Sequence, residues 1–208
     1  MSKVLLLNGS CNEHGCTYTA LTEVAGALEK EGIVTEIIQL GKNPIRDCIG
    51  CGSCGKLGRC VFDDDLVNEV AKKAREADGF VFGTPVYYAH PSGRILSFLD
   101  RLFYSNGGVF AFKPGAAVAS ARRAGTTASL DVLNKYFTIS RMPVISSNYW
   151  NMVHGNTPEE VKQDLEGLQT MRGIGQNMAW MIRCIEAGKA AGIGYPQTEQ
   201  KVKTNFIQ

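Results

Sequence analysis

Five short apolar runs alternate with helical patterns along the chain. Each run is too short for a buried helix and is bounded by turn residues, which is typical of strands. Strands separated by helices predict a parallel sheet with right-handed crossovers. The length of 208 residues suits one such domain, residues 1–208, and does not require two. The predicted strands are residues 4–7, 33–40, 79–83, 116–121 and 142–147.

The last helix is the longest that the sequence predicts. Thr157, Pro158 and Glu160 form a start signal with the pattern of a capping box. Apolar residues then recur at helical spacing, so we predict one helix over residues 157–188. Its apolar face is interpreted as core or as a subunit interface. The tail, residues 190–208, is predicted as loop.

The first predicted strand runs into a small polar loop before the first helix. Unpaired N–H groups at a helix start form an anion site, and Ser10, Thr17 and Thr19 add hydroxyl groups. No Lys or Arg lies between Ser10 and Thr19, so a phosphate here would be held mostly by neutral donors. The patterns GxxxxGK[ST] and GxGxxG are absent from the sequence, which disfavours two common nucleotide-binding loops. The alternative is an ordinary polar turn.

Composition limits the classes of partner. The net charge of +2 is too small to indicate nucleic acid or a membrane surface, and no apolar run approaches the length of a membrane span. The N-terminal stretch is too short and too strand-like for a signal peptide. We therefore expect a cytoplasmic protein, in which the seven cysteines are thiols or ligands rather than disulfides.

Four of those cysteines lie in residues 41–62, a loop that is long for a compact domain and is therefore predicted to be functional. Three thiolates at x2 spacing plus a fourth nearby can ligate a [4Fe–4S] cube. Structural zinc and an empty loop of reduced thiols are the alternatives. Cys11 and Cys16 are interpreted as small residues of the first loop, and Cys184 as helix packing. The four loop cysteines are Cys48, Cys51, Cys54 and Cys60.

Three predicted loops leave the carboxyl ends of strands, where open parallel sheets bind ligands. Residues 10–19 offer phosphate donors, and residues 84–88 offer two aromatic rings that can stack on a planar group. Residues 120–125 offer backbone N–H groups, a hydroxyl and two guanidinium groups. A phosphate joined to a flat heterocycle matches this set, and FMN is such a molecule.

At these residues the sequence resembles the flavodoxin-like NAD(P)H-dependent FMN reductase family, including the iron–sulfur flavoproteins. The family's phosphate loop, roughly GSxRxxGNT, is matched at Gly9, Ser10, Gly15 and Thr17. Its TPVYxxxxSGxLKxFxDR segment is matched at residues 84–87 and at Ser92, Gly93, Leu96, Phe98, Asp100 and Arg101. Asn12, Cys16 and Ser97 depart from the pattern. The resemblance extends to the TNFI ending at residues 204–207.

The resemblance implies a flavodoxin-like, doubly wound, five-stranded parallel sheet of order 2-1-3-4-5 with a long C-terminal helix. It also implies a homodimer or homotetramer in which a neighbouring subunit partly covers the flavin. In iron–sulfur members it implies that the four loop cysteines hold a [4Fe–4S] cluster. The FMN-binding residues that it implies are Ser10, Asn12, Cys16, Thr17, Tyr18, Thr19, Pro85, Val86, Tyr87, Tyr88, Ser120, Ala121, Arg122, Arg123 and Gly125.

Other side chains have structural alternatives. The two tyrosines of residues 84–88 alternatively pack on the next helix, and the two arginines of residues 120–125 are alternatively solvated charges. Asp100 and Arg101 are interpreted as a structural pair. His154 is a candidate proton donor, with a structural histidine as its alternative, while Tyr149 and Trp150 suit packing or a subunit interface.

The function predicted from this pattern is an FMN-dependent oxidoreductase. NAD(P)H would reduce the flavin, and the electrons would pass to a small acceptor such as a quinone, free flavin, a nitro- or azo-compound, or to a cluster. No residue in the sequence is required to act as an acid or base. One alternative is an iron–sulfur flavoprotein or flavodoxin-like electron carrier without its own substrate. Another is a flavin-free binding protein that senses redox state through its thiols.

Overall fold

A parallel β-sheet lies at the centre of the computed structural model, which describes residues 1–200 together with residues 202 and 204. Apart from Thr204, the TNFI ending lies outside these residues. The parallel strands follow the order β2-β1-β3-β5-β6, and β4 pairs with the end of β3 as an antiparallel hairpin. When the five parallel strands are numbered alone, without β4, this order is 2-1-3-4-5, as predicted. The strands are β1 (Lys3–Asn8), β2 (Val34–Gln39), β3 (Gly79–Tyr87), β4 (His90–Pro91), β5 (Gly115–Ala121) and β6 (Met152–His154).

Helices cover both faces of the sheet. They are α1 (Cys16–Lys30), α2 (Cys54–Leu57), α3 (Val67–Glu76), α4 (Gly93–Asn106), α5 (Thr126–Ile139), α6 (Pro158–Val161) and α7 (Leu165–Ala190), with a 3-10 turn at Gly107–Val109. Among the described residues, none of these helices combines the length and the apolar character that crossing a bilayer requires.

The apolar residues of β1 are buried on both faces of the sheet, as its short continuous run predicts. Leu5 and Leu7 pack in the core with α3, α4 and α5, whereas Val4 and Leu6 pack in the opposite core with α1 and α7. The apolar face of α7 is buried in that second core. Of the two interpretations of this face, the structure therefore supports core packing.

The predicted fifth strand, residues 142–147, is wrong in position. These residues form a single bridge, from Val144 to Gly115, and the edge strand is β6 instead. The reason is local competition for backbone groups. The Asn151 side chain donates to the Ile145 carbonyl at 3.2 Å and accepts from the Ser147 hydroxyl at 3.0 Å, which turns the chain away from the sheet.

The predicted single helix over residues 157–188 is two helices. Thr157 caps α6 as predicted, because its hydroxyl accepts the Glu160 N–H at 3.3 Å. A second cap follows at Asp164, whose carboxylate accepts the Gly167 N–H at 2.9 Å and starts α7. The tail beyond α7 is a turn followed by irregular chain as far as residue 200, as predicted.

Candidate functional site

The loops after β1, β3 and β5 meet at one edge of the sheet, because these strands are neighbours. The Gly9 N–H donates to the Gly83 carbonyl at 2.8 Å, which joins the first loop to β3. The Thr17 and Ser120 hydroxyls lie 2.8 Å apart and join the first loop to the third. The three loops that the sequence singled out are therefore adjacent in the structure.

The first loop is held by its own polar groups. Asn8 Oδ1 accepts the Ser10 N–H at 3.1 Å, and the Ser10 hydroxyl accepts the Asn12 N–H at 3.1 Å. The Thr19 hydroxyl donates to the Gly15 carbonyl at 3.2 Å. The hydroxyls predicted to face a phosphate are thus engaged within the protein, with Thr17 buried against the third loop.

The start of α1 provides the outward-facing donors of this loop. Within the described part of the chain, no side-chain hydrogen bond caps this helix, and its first turn carries no acidic residue. The N–H groups of that turn are consequently available to an anion. Tyr18 follows in the same turn, half-buried, with its ring 4.8 Å from the ring of His14.

An open cavity of about 670 Å³ lies beside the first loop. Its wall includes residues 11–15, Gln39 and Lys42. The main chain around Lys42 is fixed by Arg94, which donates to the Lys42 carbonyl at 3.2 Å. Lys42 was missed by the sequence analysis, because it belongs to a different loop and only the fold brings it to this cavity.

The second loop is less of a loop than predicted, since β3 continues through residues 84–87. Tyr87 is 46% exposed, and its hydroxyl lies 3.1 Å from Cys11 Sγ. Partial burial, together with the contact with Cys11, raises the pKa of Tyr87. Tyr88 is fully exposed in a left-handed conformation, with φ of 64°. Tyr88 therefore faces solvent, whereas Tyr87 is half-exposed with its hydroxyl against the first loop.

The third loop approaches the second very closely at Gly125. A Cβ at Gly125 would lie 2.7 Å from Val86 Cγ1, so the contact excludes any larger residue. Ser120 and Ala121 are buried at the end of β5, while Arg122 and Arg123 are exposed. Within residues 1–200, neither arginine forms an ion pair.

His154 lies one strand further along the sheet edge, at the end of β6. It is exposed, and its backbone N–H donates to Asp164 Oδ2 at 2.7 Å. It lines a cavity of about 440 Å³ together with Arg123 and Trp150. Tyr149 and Trp150 are 53% and 60% exposed, so they do not belong to the core of this chain.

The four loop cysteines line one cavity of about 180 Å³. The residues around this cavity are Cys48, Ile49, Gly50, Cys51, Gly52, Cys54, Cys60, Val61, Phe62, Arg101, Tyr104 and Ser105. Gly50 and Gly52, with φ of 63° and 67°, let the chain curl around it in a conformation that other residues avoid. Among the described residues, no three Cys, His, Asp or Glu side chains converge on a single-ion site.

The four thiols differ in their surroundings. Cys51 is exposed, and hydrogen bonds from the side chain and backbone of Ser53 lower its pKa. Cys48 and Cys54 are partly buried, whereas Cys60 is 8% exposed. Cys60 Sγ accepts a hydrogen bond from Arg101 Nε at 3.2 Å. The Cys60 sulfur is therefore distinguished from the other three by burial and by a cationic donor.

Asp100 and Arg101 each form structural contacts, but with other residues rather than with each other, because consecutive helical residues point in different directions. Arg101 is 2% exposed and forms an ion pair with Asp65. Asp100 instead accepts a hydrogen bond from the Tyr136 hydroxyl. Burial of Tyr136, together with this hydrogen bond, raises the pKa of its hydroxyl. No local pattern signals the contact between Arg101 and Cys60, because they are far apart in the sequence.

Comparisons with known proteins agree with this architecture. An iron–sulfur flavoprotein of Methanocaldococcus jannaschii is 33% identical over 192 residues, covering 88% of this chain and 99% of that protein. An iron–sulfur flavoprotein of Methanosarcina thermophila is 26% identical over 173 residues, covering 80% and 89%. The structure of a WrbA-like flavodoxin from Agrobacterium tumefaciens matches with a TM-score of 0.63 at 17% identity, covering 88% and 99%.

The last of these matches supports the flavodoxin-like fold alone. The sequence pattern of the family described as NADPH-dependent FMN reductase matches residues 2–157. That span includes all three loops of the sheet edge and the cysteine cavity. The chain therefore belongs to the NADPH-dependent FMN reductase family.

Proposed function

We propose that the protein is an FMN-dependent oxidoreductase that takes electrons from NAD(P)H and passes them to a small acceptor such as a quinone or a free flavin. The observation that carries the proposal is the junction of the three loops at one sheet edge, beside the uncapped start of α1. This arrangement combines donors for a phosphate with exposed aromatic rings for a flat heterocycle. Family membership supports the same cofactor and donor.

The phosphate end of FMN fits the cavity beside the first loop. The N–H groups of the first turn of α1 supply neutral donors, and the helix dipole favours an anion there. Lys42 lines the same cavity, as does Glu13, and adds a positive charge. We therefore expect one cation, Lys42, to hold the phosphate together with the neutral donors that the sequence predicted.

The ring end of FMN would lie against the second and third loops, which contact each other at Val86 and Gly125. Tyr87 and Tyr88 offer exposed faces for stacking. Arg122, Arg123 and the backbone at Gly125 can donate to the carbonyl oxygens of the ring. Bound FMN would supply the redox chemistry, which is hydride acceptance and electron release. The protein's own residues would bind it and orient it.

The test is anaerobic titration of the flavin-free protein with FMN and with riboflavin, which lacks the phosphate. FMN should bind more tightly, and Lys42→Gln should weaken FMN alone by about two- to fivefold, from roughly 0.5–1 kcal/mol for an exposed charge pair. Lys30→Gln, at the far end of α1, is the matched control. Bleaching of the bound flavin by NADPH or NADH would support the enzyme. No binding of FMN would refute the proposal, and binding without bleaching would favour an electron carrier.

A second proposal is that the cysteine cavity holds a [4Fe–4S] cluster, as in the iron–sulfur flavoproteins that this chain resembles. The supporting observation is the cavity of about 180 Å³ lined by all four thiols. Cys48, Cys51, Cys54 and Cys60 would be the ligands, and the cluster would supply one-electron transfer. The lowered pKa of Cys51 favours the thiolate that a metal needs.

Iron and sulfide assays on protein purified without air test this second proposal. About four irons per chain are expected for one cube. Cys51→Ser should lower the iron content. Cys184→Ser should not, because Cys184 is exposed on α7, outside the loop, and its interpretation as helix packing was wrong. Protein without iron, or iron that is insensitive to Cys51→Ser, would count against the cluster and leave a plain flavin enzyme.

We also propose a homo-oligomer. The support is the exposed pair Tyr149 and Trp150, whose rings lie 5.0 Å apart on the surface near the sheet edge. The apolar face of α7 does not contribute, since it is buried within the chain. Sedimentation of the flavin-loaded protein tests this, and a monomer at all concentrations would refute it.

A further inference from the structure

A buried arginine donates to one sulfur of the cysteine cavity. Arg101 is 2% exposed, and its Nε lies 3.2 Å from Cys60 Sγ. We propose that Arg101 raises the reduction potential of a cluster in this cavity through this hydrogen bond, an inference that rests on the cluster proposed above. Arg101 is a positioning residue in this role, since it acts through the Cys60 sulfur.

The guanidinium group is held on every side. It forms an ion pair with Asp65, and it also donates to the carbonyls of Arg46 at 3.3 Å and Phe62 at 3.4 Å. The centre of the Phe62 ring lies 5.2 Å from Arg101 Cζ, the central carbon of the guanidinium group. The Nε–H group is thus aimed at Cys60 by four other contacts and cannot turn away without breaking several of them.

Packing alone does not require this arrangement. Taking an ion pair out of water is costly, and apolar side chains of the same volume often serve stability as well or better. A buried Arg101 with one donor directed at a sulfur indicates a role that an apolar residue cannot perform. The other three thiols of the cavity are all more exposed than Cys60, so Cys60 is the ligand most sensitive to a nearby donor.

The physical effect follows from charge. When a cluster gains one electron, from the reduced flavin or from dithionite in a titration, negative charge on its sulfur ligands increases. The Arg101 N–H stabilises that added charge and itself gains or loses neither electron nor proton. Hydrogen bonds to the sulfurs and the local net charge are among the factors that set cluster potentials, so the reduced form is favoured.

The decisive variant removes the donor without changing the net charge. The double substitution Asp65→Asn with Arg101→Met deletes one negative and one positive group together. We expect its midpoint potential, measured by potentiometric titration followed by electron paramagnetic resonance, to fall below that of the wild type. A tenfold change in the ratio of oxidised to reduced cluster at fixed potential corresponds to about 59 mV for one electron.

An ion pair away from the cavity provides the matched control. Arg183 and Glu31 lie 2.8 Å apart with partly exposed side chains, and neither residue lines the cysteine cavity. Glu31→Gln with Arg183→Gln should leave the potential unchanged. An equal fall in this control would show a general effect of charge or stability and would overturn the proposal.

Arg101→Lys keeps the inference testable if the double variant fails to fold or to hold iron. Lysine retains the charge beside Asp65 but lacks the planar fork that directs Nε–H at the sulfur. Its potential should also fall, although less. Iron-loaded variants with the wild-type potential would overturn the role of Arg101. Wild-type protein without iron would instead refute the underlying cluster proposal, so the two failures are distinguishable.

Discussion

The hydroxyl pair of Thr17 and Ser120 should couple two loops of the flavin site energetically. The two oxygens lie 2.8 Å apart, and the residues are 1% and 3% exposed. Thr17→Val preserves the shape of the side chain but leaves the Ser120 hydroxyl buried without this partner. The free energy of unfolding of the flavin-free protein should fall by about 1–3 kcal/mol, the cost of an unsatisfied buried polar group.

Urea unfolding followed by far-UV circular dichroism measures the change. Thr22→Val is the control on the same helix, because Thr22 is exposed and its hydroxyl donates to the Tyr18 carbonyl; its effect should stay within about 0.5 kcal/mol. Adding Ser120→Ala to Thr17→Val should cost less than the sum of the two single substitutions, since no unpaired hydroxyl remains. Strict additivity, or a Thr17→Val effect no larger than the control, would refute this account of the junction.

Three further predictions concern stability. Gly26→Ala should stabilise the protein by about 0.5–1 kcal/mol, because α1 has open space at this position and glycine weakens a helix interior; urea unfolding measures it. Hydrogen bonds from Lys3 and Lys73 lower the pKa of Glu36. The ionised Glu36 carboxylate therefore stabilises the folded state above the ordinary pKa of about 4.3, and this stabilisation is lost as the pH falls through the lowered pKa. Glu36→Gln should therefore flatten the acid side of a plot of stability against pH. Asp164→Ala should cost about 0.5–2 kcal/mol through loss of the α7 cap, and an unchanged melting temperature would contradict this.

Local patterns were enough to predict most of the fold. Apolar runs with turn residues at both ends predicted four of the five parallel strands. In β1, β3 and β5 burial on two faces leaves a continuous apolar signal, whereas β2 is only partly buried and its signal is interrupted. The fifth was misplaced because residues 142–147 look as apolar as a strand. Side-chain hydrogen bonds from Ser147 and Asn151 redirect the chain, and such contacts depend on the fold itself.

The candidate site was predictable only where its residues are consecutive. The three loops were found because each follows a strand, and the sheet order makes them neighbours. Lys42 and Arg101 were missed in their site roles, since their partners come from other loops. Predicting such contacts requires the path of the residues 41–62 loop, and its curl depends on glycines whose conformation the sequence does not specify.

Helix α4 supports both proposed centres from one rigid element. Ser92, its cap, donates to the Gly9 carbonyl in the first loop at 2.8 Å, and Arg101 meets the cysteine cavity further along the helix. At 1.5 Å per residue these positions are about 14 Å apart along the axis. Because the two ends contact different loops, Ser92→Ala should weaken FMN binding without lowering iron per chain, as titration and iron assay of the same sample would measure. Parallel loss of both would mean that α4 couples the centres instead of holding them independently.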